Sequence, residues 1–524
     1  MAEAFILQLA AACSLSLVRL PRTIHGLSLT SPAGHYGRPE TLFPPIQQRP
    51  RPVPGQGDER ILGMSLLERD HAPRRAEMPS QIRLRLLLHD GPSPGLLTLT
   101  RRPDTQAIYG HGAPFRKSRG YETMIPTPDG WSTMTSIDKT LHRRLRRVFR
   151  SGLGADFLAR HEPAVVRNLR VYFGELQRDR DAQGWGAAAD MRKWNLCLGF
   201  DTMADFGLGI KTDLLRGSAR DFVFPALYFH EKKMGLWEQL PVLSNMGIGN
   251  LVAAVFLLVS PRAREFSSWY QSFLRQAVDA NASKDGGIFG PVIQSGLGAL
   301  ESPGHNRPQM IAEGAFSTFS SADAYGIMVS GFLHYLGRSY RPREDIVWDT
   351  KLETSVYLRA VINEVMRLLP PACGVHWREC ERPGVTIGPD GVPMSVGSDV
   401  GMSIFSLFRD ARIFRDPVRF WPERWIPGTL PTAEYAMAKN MFTPFLIGPR
   451  NCAGSHVAIM IASIAYAYIL VNYDFRLGPS QAAAGPCVGS DTLRETGAEL
   501  ELTFESHYSI AGWESGPFVQ FKAR

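Results

Sequence analysis

Cys452 stands in a stretch whose residue types could hold a metal. Phe442-Thr-Pro-Phe-Leu-Ile-Gly-Pro-Arg-Asn-Cys-Ala-Gly454 is a Gly- and Pro-bearing loop that runs into the apolar segment Ser455–Val471. Gly448 and Gly454 let the backbone turn tightly around Cys452, so that amide N–H groups can point at its sulfur and stabilise a thiolate beside a helix N-terminus. A thiolate held in that way is a metal ligand. Arg450 suits an anionic group on whatever the sulfur binds, and Phe445 can shield the sulfur from water. For a lone cysteine the plain alternative is a buried, inert thiol.

Two helical segments carry further candidates. Asp138-Lys-Thr-Leu-His-Arg-Arg-Leu-Arg-Arg-Val-Phe149 sets His142 and Arg146 four residues apart, on one face of a helix. A basic run of this kind is ordinarily a solvated face or a polyanion site. Leu358, Val361, Ile362, Val365, Met366 and Leu369 follow the i, i+3, i+4 progression of an amphipathic helix, which Pro370-Pro371 ends. Glu364 and Arg367 lie on its other face, where an exposed pair contributes at most about 0.5 kcal/mol.

The chain that must position these residues has 524 of them, 44% hydrophobic and 21% charged, a globular composition that excludes collagen, coiled coil and wholesale disorder. Its six cysteines, Cys13, Cys197, Cys373, Cys380, Cys452 and Cys487, form neither a CxxC pair nor a disulfide framework, which fits a reducing, cytosol-facing setting. The net charge of +8 admits nucleic acid, anionic lipid or an acidic protein as partner. No recognition motif accompanies the Arg143–Arg147 cluster, so nucleic acid is the least expected. Ala4–Val18 is an uncharged apolar run, shorter than the roughly 20 residues of a spanning helix. Arg19 and Arg22 follow it with no Lys or Arg before it, the charge order of an anchor that leaves the rest of the chain cytoplasmic. Residues 1–25 are thus expected to be a membrane anchor and 26–104, with their many Pro and Arg residues, a linker and a poorly matched N-terminal region. Val457–Val471 is too short for a span and reads as a core helix. Leu236–Val259 is apolar too, and packs in the core or dips into a bilayer.

Phe445-x-x-Gly448-x-Arg450-x-Cys452-x-Gly454 matches, at each of its five fixed positions, the haem-binding loop of the cytochrome P450 family, the haem-thiolate monooxygenases. Glu364-x-x-Arg367 resembles the family's helix before that loop, and Phe420-Trp-Pro-Glu-Arg-Trp425 resembles the segment whose arginine, here Arg424, completes the lock on it. The basic helix of His142 and Arg146 resembles the one that contacts the haem propionates. Ile108-Tyr-Gly110, Phe115-Arg-Lys-Ser118 and Phe200–Gly209 resemble segments of filamentous-fungal members, and Gly516–Phe521 resembles the strand that closes the fold. The resemblance covers about residues 105–524 in the right order.

It implies a mainly α, α+β chain: a cytochrome P450 fold with a large helical domain and a smaller β-rich part. It implies haem b, with Cys452 as axial ligand, and His142, Arg146, Phe445, Gly448, Arg450 and Gly454 around the cofactor. Glu364, Arg367 and Arg424 would be structural. The family's central helix carries an acid followed by an alcohol that pass protons to iron-bound dioxygen. Ser320-Ser-Ala-Asp-Ala-Tyr325 is the counterpart here, so Asp323 keeps the acid while Ala324 replaces the alcohol. Either a hydroxyl such as Ser320 or Ser321 substitutes, or the substrate supplies its own, or the enzyme runs a rearrangement, dehydration or coupling. A non-catalytic haem sensor or a degenerate member stays open as well.

The activity implied is insertion of one oxygen atom from O2 into an apolar terpenoid, polyketide or alkaloid intermediate of secondary metabolism. Electrons would come from an NADPH-cytochrome P450 reductase whose acidic face suits the basic surplus. The expected place is the endoplasmic reticulum membrane, with the catalytic domain facing the cytosol. Ala372-Cys-Gly-Val-His-Trp377 reads as an apolar pocket wall with one polar group, His376.

Overall fold

The computed structural model describes residues 96–99, 102–125, 130–151, 153–217, 223, 261–281, 307–339, 355–388, 391–478, 505–507, 510–512 and 516–524. The segments Ala4–Val18 and Leu236–Val259 lie outside the described residues. In chain order the described elements begin with β1 (Leu96–Leu99), α1 (Arg102–Tyr109), β2 (Phe115–Lys117), α2 (Lys139–Ser151), α3 (Ala155–Leu176), β3 (Ala189–Asp190), α4 (Met191–Leu208), α5 (Pro261–Asn281) and α6 (Arg307–Ser339). There follow α7 (Val356–Leu368), β4 (Arg378–Cys380), β5 (Val385–Ile387), β6 (Val392–Met394), β7 (Asp399–Met402), α8 (Ile404–Phe408), α9 (Thr432–Met441), α10 (Ser455–Asn472), β8 (Tyr473–Leu477), β9 (Glu505–His507), β10 (Ile510–Gly512) and β11 (Phe518–Ala523).

The core is helical. Side chains from α3, α4, α6, α7 and α10 form one buried cluster, with Leu169, Phe200, Phe332, Val365 and Ile469 fully enclosed. α6, at 33 residues, is the axis on which the others pack. Its closest neighbour is α4, and glycine makes that approach possible: a Cβ on Gly199 would lie 2.1 Å from the Ala322 carbonyl oxygen. α4 then stops at Gly209, whose φ of 68° closes a Schellman-type end with Gly209 N–H on Asp205 and Ile210 N–H on Ala204.

α10 is the one described helix long and apolar enough to cross a membrane, but more than half of it is buried inside the protein, packed on α3, α6 and α7. It is the core helix that its length and position lead one to expect.

The smaller β part holds a four-stranded sheet in the order β1-β7-β4-β2, in which only β1 and β7 run parallel. A three-stranded sheet, β3-β11-β8, closes the C-terminus with Phe521 opposite Phe475. The folded body therefore starts at least as early as Leu96, nine residues before the expected boundary at 105, because Leu96–Leu99 find their partners in Asp399–Met402.

Candidate active site

The cysteine loop is held by backbone geometry. Leu446 and Gly448 both take positive φ, 56° and 74°, and the Cys452 N–H donates to the Phe445 carbonyl at 2.8 Å. Gly448 cannot be replaced without cost: its Cβ would sit 1.9 Å from the Tyr109 carbonyl oxygen. Tyr109 in turn ties α1 to the sheet, donating its hydroxyl to the His376 carbonyl and accepting the Met402 N–H, each at 2.9 Å. Gly454 differs, for a Cβ there meets nothing within 4 Å. The Cys452 side chain is reachable by solvent, yet protein surrounds it, as at the floor of a cleft. Burial raises its thiol pKa, while the Gly454 N–H and Arg146 pull the other way, towards thiolate.

Behind the loop lies a fully buried ionic lock. The Glu364 carboxylate takes two bonds of 2.9 Å from Arg367 and one of 3.1 Å from Arg424 Nε. The Trp421 N–H and Trp425 Nε1–H add a bond of 2.9 Å each. Arg367 continues to the carbonyls of Phe408, Pro417 and Arg419, and Arg424 to those of Arg415, Asp416 and Arg419. Every charge is thereby hydrogen-bonded, the condition under which an ion pair survives away from water. Glu364 and Arg367 are wholly enclosed, not an exposed pair, and the turn Pro422–Trp425 delivers Arg424 as its motif implied.

Beside the loop is a cluster of positive charge. His142 on α2 is buried and pushed down to about 2, by burial first and then by Arg450, Lys117, Arg146 and Arg378, so it is neutral at ordinary pH. Arg146 donates to the carbonyl and side chain of Asn451, next to the cysteine. Arg450 donates to the Ser136 and Ile137 carbonyls at 2.6 and 2.9 Å, so its guanidinium braces the start of α2; burial lowers it to about 10, still a cation. Lys117 and Arg378 are cross-strand partners in β2 and β4. Neither was expected, though Lys117 lies in the matched Phe115–Ser118 segment and Arg378 follows the pocket wall by one residue.

The segment Trp131–Asp138 joins this cluster to the central helix. The Thr133 N–H donates to Glu313 Oε2 at 2.5 Å, Lys117 donates to the Met134 carbonyl, and Arg450 holds Ser136 and Ile137. Thr133 and Ser136 are three residues apart, so α6 and the cysteine loop stand within about 11 Å of chain of each other here. On α6 itself, Asp323 is bonded to Arg192 of α4 at 3.2 Å. Phe316, Phe319, Ser320, Ser321 and Ala324 are open or half-open, whereas 325–336 are buried throughout. The helix is thus uncovered along one short stretch.

A sequence profile of the family described as "Cytochrome P450" matches residues 343–484, the span of the ionic lock and the cysteine loop. The chain is also similar over most of its length to fungal proteins of that name. Cytochrome P450 monooxygenase AKT7 of Alternaria alternata is 24% identical, over 82% of this chain and 84% of its own. Cytochrome P450 monooxygenase atnE of Emericella nidulans is 26% identical, over 82% and 84%. The ionic lock and the cysteine loop match those of the cytochrome P450 family. The retinoic acid-bound cyanobacterial CYP120A1 structure has the same fold, with a TM-score of 0.58 over 82% of this chain and 89% of that chain at 16% identity.

As a P450 monooxygenase the chain uses haem b. The donor set fits that group. Cys452 is an accessible sulfur in a loop of which no residue from Phe442 to Ser455 is buried. Four cations reach His142, against which stand Asp138 beside Arg450 and Glu313 beside Lys117. That leaves an excess of positive charge to face the two haem carboxylates.

Proposed function

We propose that this P450 inserts one oxygen atom from O2 into an apolar small molecule of secondary metabolism, of terpenoid, polyketide or alkaloid type, drawing electrons from an NADPH-cytochrome P450 reductase. The observation that carries the chemistry is Cys452, accessible at the floor of a cleft beside a group of cations. Cys452 would hold the haem iron through its thiolate in this reading. When bound, haem b supplies dioxygen activation, which a thiolate ligand favours by pushing electron density onto iron.

The protein's own residues do the rest. Arg146, Arg450 and neutral His142 bind the carboxylates of the cofactor, with Lys117 and Arg378 adding charge. Gly448 lets the loop reach the Tyr109 backbone, Gly454 leaves room at the start of α10, and Phe445 screens the sulfur. Glu364, Arg367 and Arg424 keep the loop in place. Asp323 is the acid that the sequence nominates for proton delivery from α6.

The filamentous-fungal origin of similar proteins supports a role in secondary metabolism. The run Ala4–Val18 with Arg19 and Arg22 after it supports an anchor in the endoplasmic reticulum membrane, the body facing the cytosol. The exposed basic residues Arg143, Arg144 and Arg147 of α2 support an acidic reductase face as partner.

Full-length protein in microsomes with reductase, supplied with NADPH and 18O2, tests the reading against a panel of apolar terpenoids, polyketides and alkaloids. A substrate that stimulates NADPH consumption and leaves with one 18O atom supports it. Substrate conversion without 18O would replace oxygenation by a rearrangement or coupling.

A further inference from the structure

A second cleft, of about 540 Å3, opens between α3, the end of α10 and the paired strands β8 and β11. Tyr468 in its wall is thirteen residues along α10 from Ser455, about 20 Å at 1.5 Å per residue, so the cleft is remote from the cysteine loop. The haem site uses none of its residues. Its volume is that of a small-molecule site, roughly 300–1,000 Å3.

The sequence of α3 shapes this cleft. Arg170, Phe173 and Gly174 share one face of the helix at i, i+3 and i+4, and the capping residue Gln177 continues it at i+7. Gly174 notches that face, since nothing stands within 4 Å of a Cβ there. Phe173 is fully buried and stacks on Tyr473, 4.0 Å between ring centroids at 15°, which fixes the half-buried Tyr473 ring in the wall. Burial, and then Tyr468, push the Tyr473 hydroxyl up to about 12, so it is a neutral group at ordinary pH.

The charged groups of the wall are all of one sign. Arg170, Arg178 and Arg180 line the cleft and no carboxylate does. Arg178 is committed to Glu175 at 2.6 Å, which Arg216 also engages at 3.1 Å. Arg170 and Arg180 have neither an ion pair nor a hydrogen bond among the described residues. The C-terminal ends of α3 and α10 oppose an anion with about half a charge each, less than the arginines supply. Gln177, 9% exposed, gives its amide N–H to the Phe521 carbonyl at 2.6 Å and leaves Oε1 buried without a hydrogen-bond partner. A ligand N–H meets such an acceptor.

We propose that this cleft is a second ligand site, for a small molecule that joins an oxyanion to a flat ring bearing an N–H donor, the chemistry of a nucleoside monophosphate. Arg170 and Arg180 hold the phosphate, whose geometry suits the guanidinium fork. The rings of Tyr468 and Tyr473 take the base, and Gln177 accepts from its amino group. The site does not depend on the monooxygenase reading.

The test titrates full-length holoprotein with AMP by calorimetry, and in parallel with adenosine and with inorganic phosphate. AMP should bind about ten-fold or more tightly than either fragment, the worth of one charge-assisted contact. Arg170→Ala and Arg180→Ala should each weaken AMP by a similar factor, and Gly174→Leu, which fills the notch and leaves every arginine in place, should abolish binding. Arg275→Ala removes an exposed charge from α5 and should change nothing. An unmoved Soret band on adding AMP keeps the result separate from the haem site. No binding of AMP, phosphate binding as tightly as AMP, or AMP affinity that Arg170→Ala and Gly174→Leu leave intact would overturn the proposal.

Discussion

Asp323 and Arg192 meet as a buried ion pair, 3.2 Å between Oδ1 and Nη1, on the flank of the central helix that packs against α4. One residue later Ala324 has turned towards the uncovered side. The acid and the position of the missing alcohol are adjacent in sequence but not directed at the same place. Loss of the hydroxyl at 324 therefore removes a polar group from that side of α6.

Restoring that hydroxyl is a direct check on position 324. Ala324→Thr restores an alcohol directly after Asp323 on α6. Peroxide released per NADPH is expected to fall several-fold, with product rising to match. Identical peroxide yields from variant and wild type would mean that protons do not pass position 324.

The two glycines of the cysteine loop are equal in the motif and unequal in the structure. Gly448→Ala must push against the Tyr109 carbonyl at a positive φ, whereas Gly454→Ala adds a methyl to open space at a φ of −91°. Gly448→Ala is expected to yield little or no haem-loaded protein and Gly454→Ala near-normal amounts. Equal haem content after purification would contradict the contact between Gly448 and Tyr109.

Glu364→Ala removes the shared acceptor of Arg367 and Arg424 and leaves two guanidinium groups buried without their carboxylate. Breaking such a pair costs about 3–5 kcal/mol, roughly six to ten times the roughly 0.5 kcal/mol of an exposed helix pair. The variant should unfold at markedly lower urea and fail to retain haem. A midpoint within error of the wild type would return the pair to the surface role that its spacing alone suggests.

Stability should carry the mark of Glu313. Its folded carboxyl is raised to about 7, above the roughly 4.3 of an unfolded glutamate. The folded state thus binds the extra proton between these values, and the stabilising contribution, complete at low pH, is lost as pH rises through 7. The full difference is about 3–4 kcal/mol as an order of magnitude. Glu313→Gln, which keeps an acceptor for Thr133, should gain stability relative to wild type on going from pH 5 to pH 8. A difference between the two proteins that does not move over that range would count against a buried carboxyl.

Much of this was legible in the residues. The Gly and Cys spacing of the loop, the 3.6-residue period of α7 and the apolar run of α10 are local patterns, and each became the element expected. What the sequence hid is non-local. Leu96–Leu99 became a strand by pairing with residues about three hundred positions away. Lys117 and Arg378 became neighbours only through the β2–β4 register. Glu364 and Arg367 looked like a surface pair until packing closed over them. The Arg192 partner of Asp323 was hidden too, for it depends on which side of α6 receives α4, and that is set by the close contact of Gly199 with Ala322. The contact of Glu313 with Thr133 was not legible, because Thr133 sits in a loop with no period of its own.

The central claim is thiolate ligation by Cys452, and the reduced protein with carbon monoxide tests it most directly. Full-length protein from a microsomal host should give a strongly red-shifted Soret band, and Cys452→Ser, with the fold unchanged by circular dichroism, should lack it. The same band in Cys452→Ser, or a folded, haem-loaded wild type without it, would contradict thiolate ligation at Cys452.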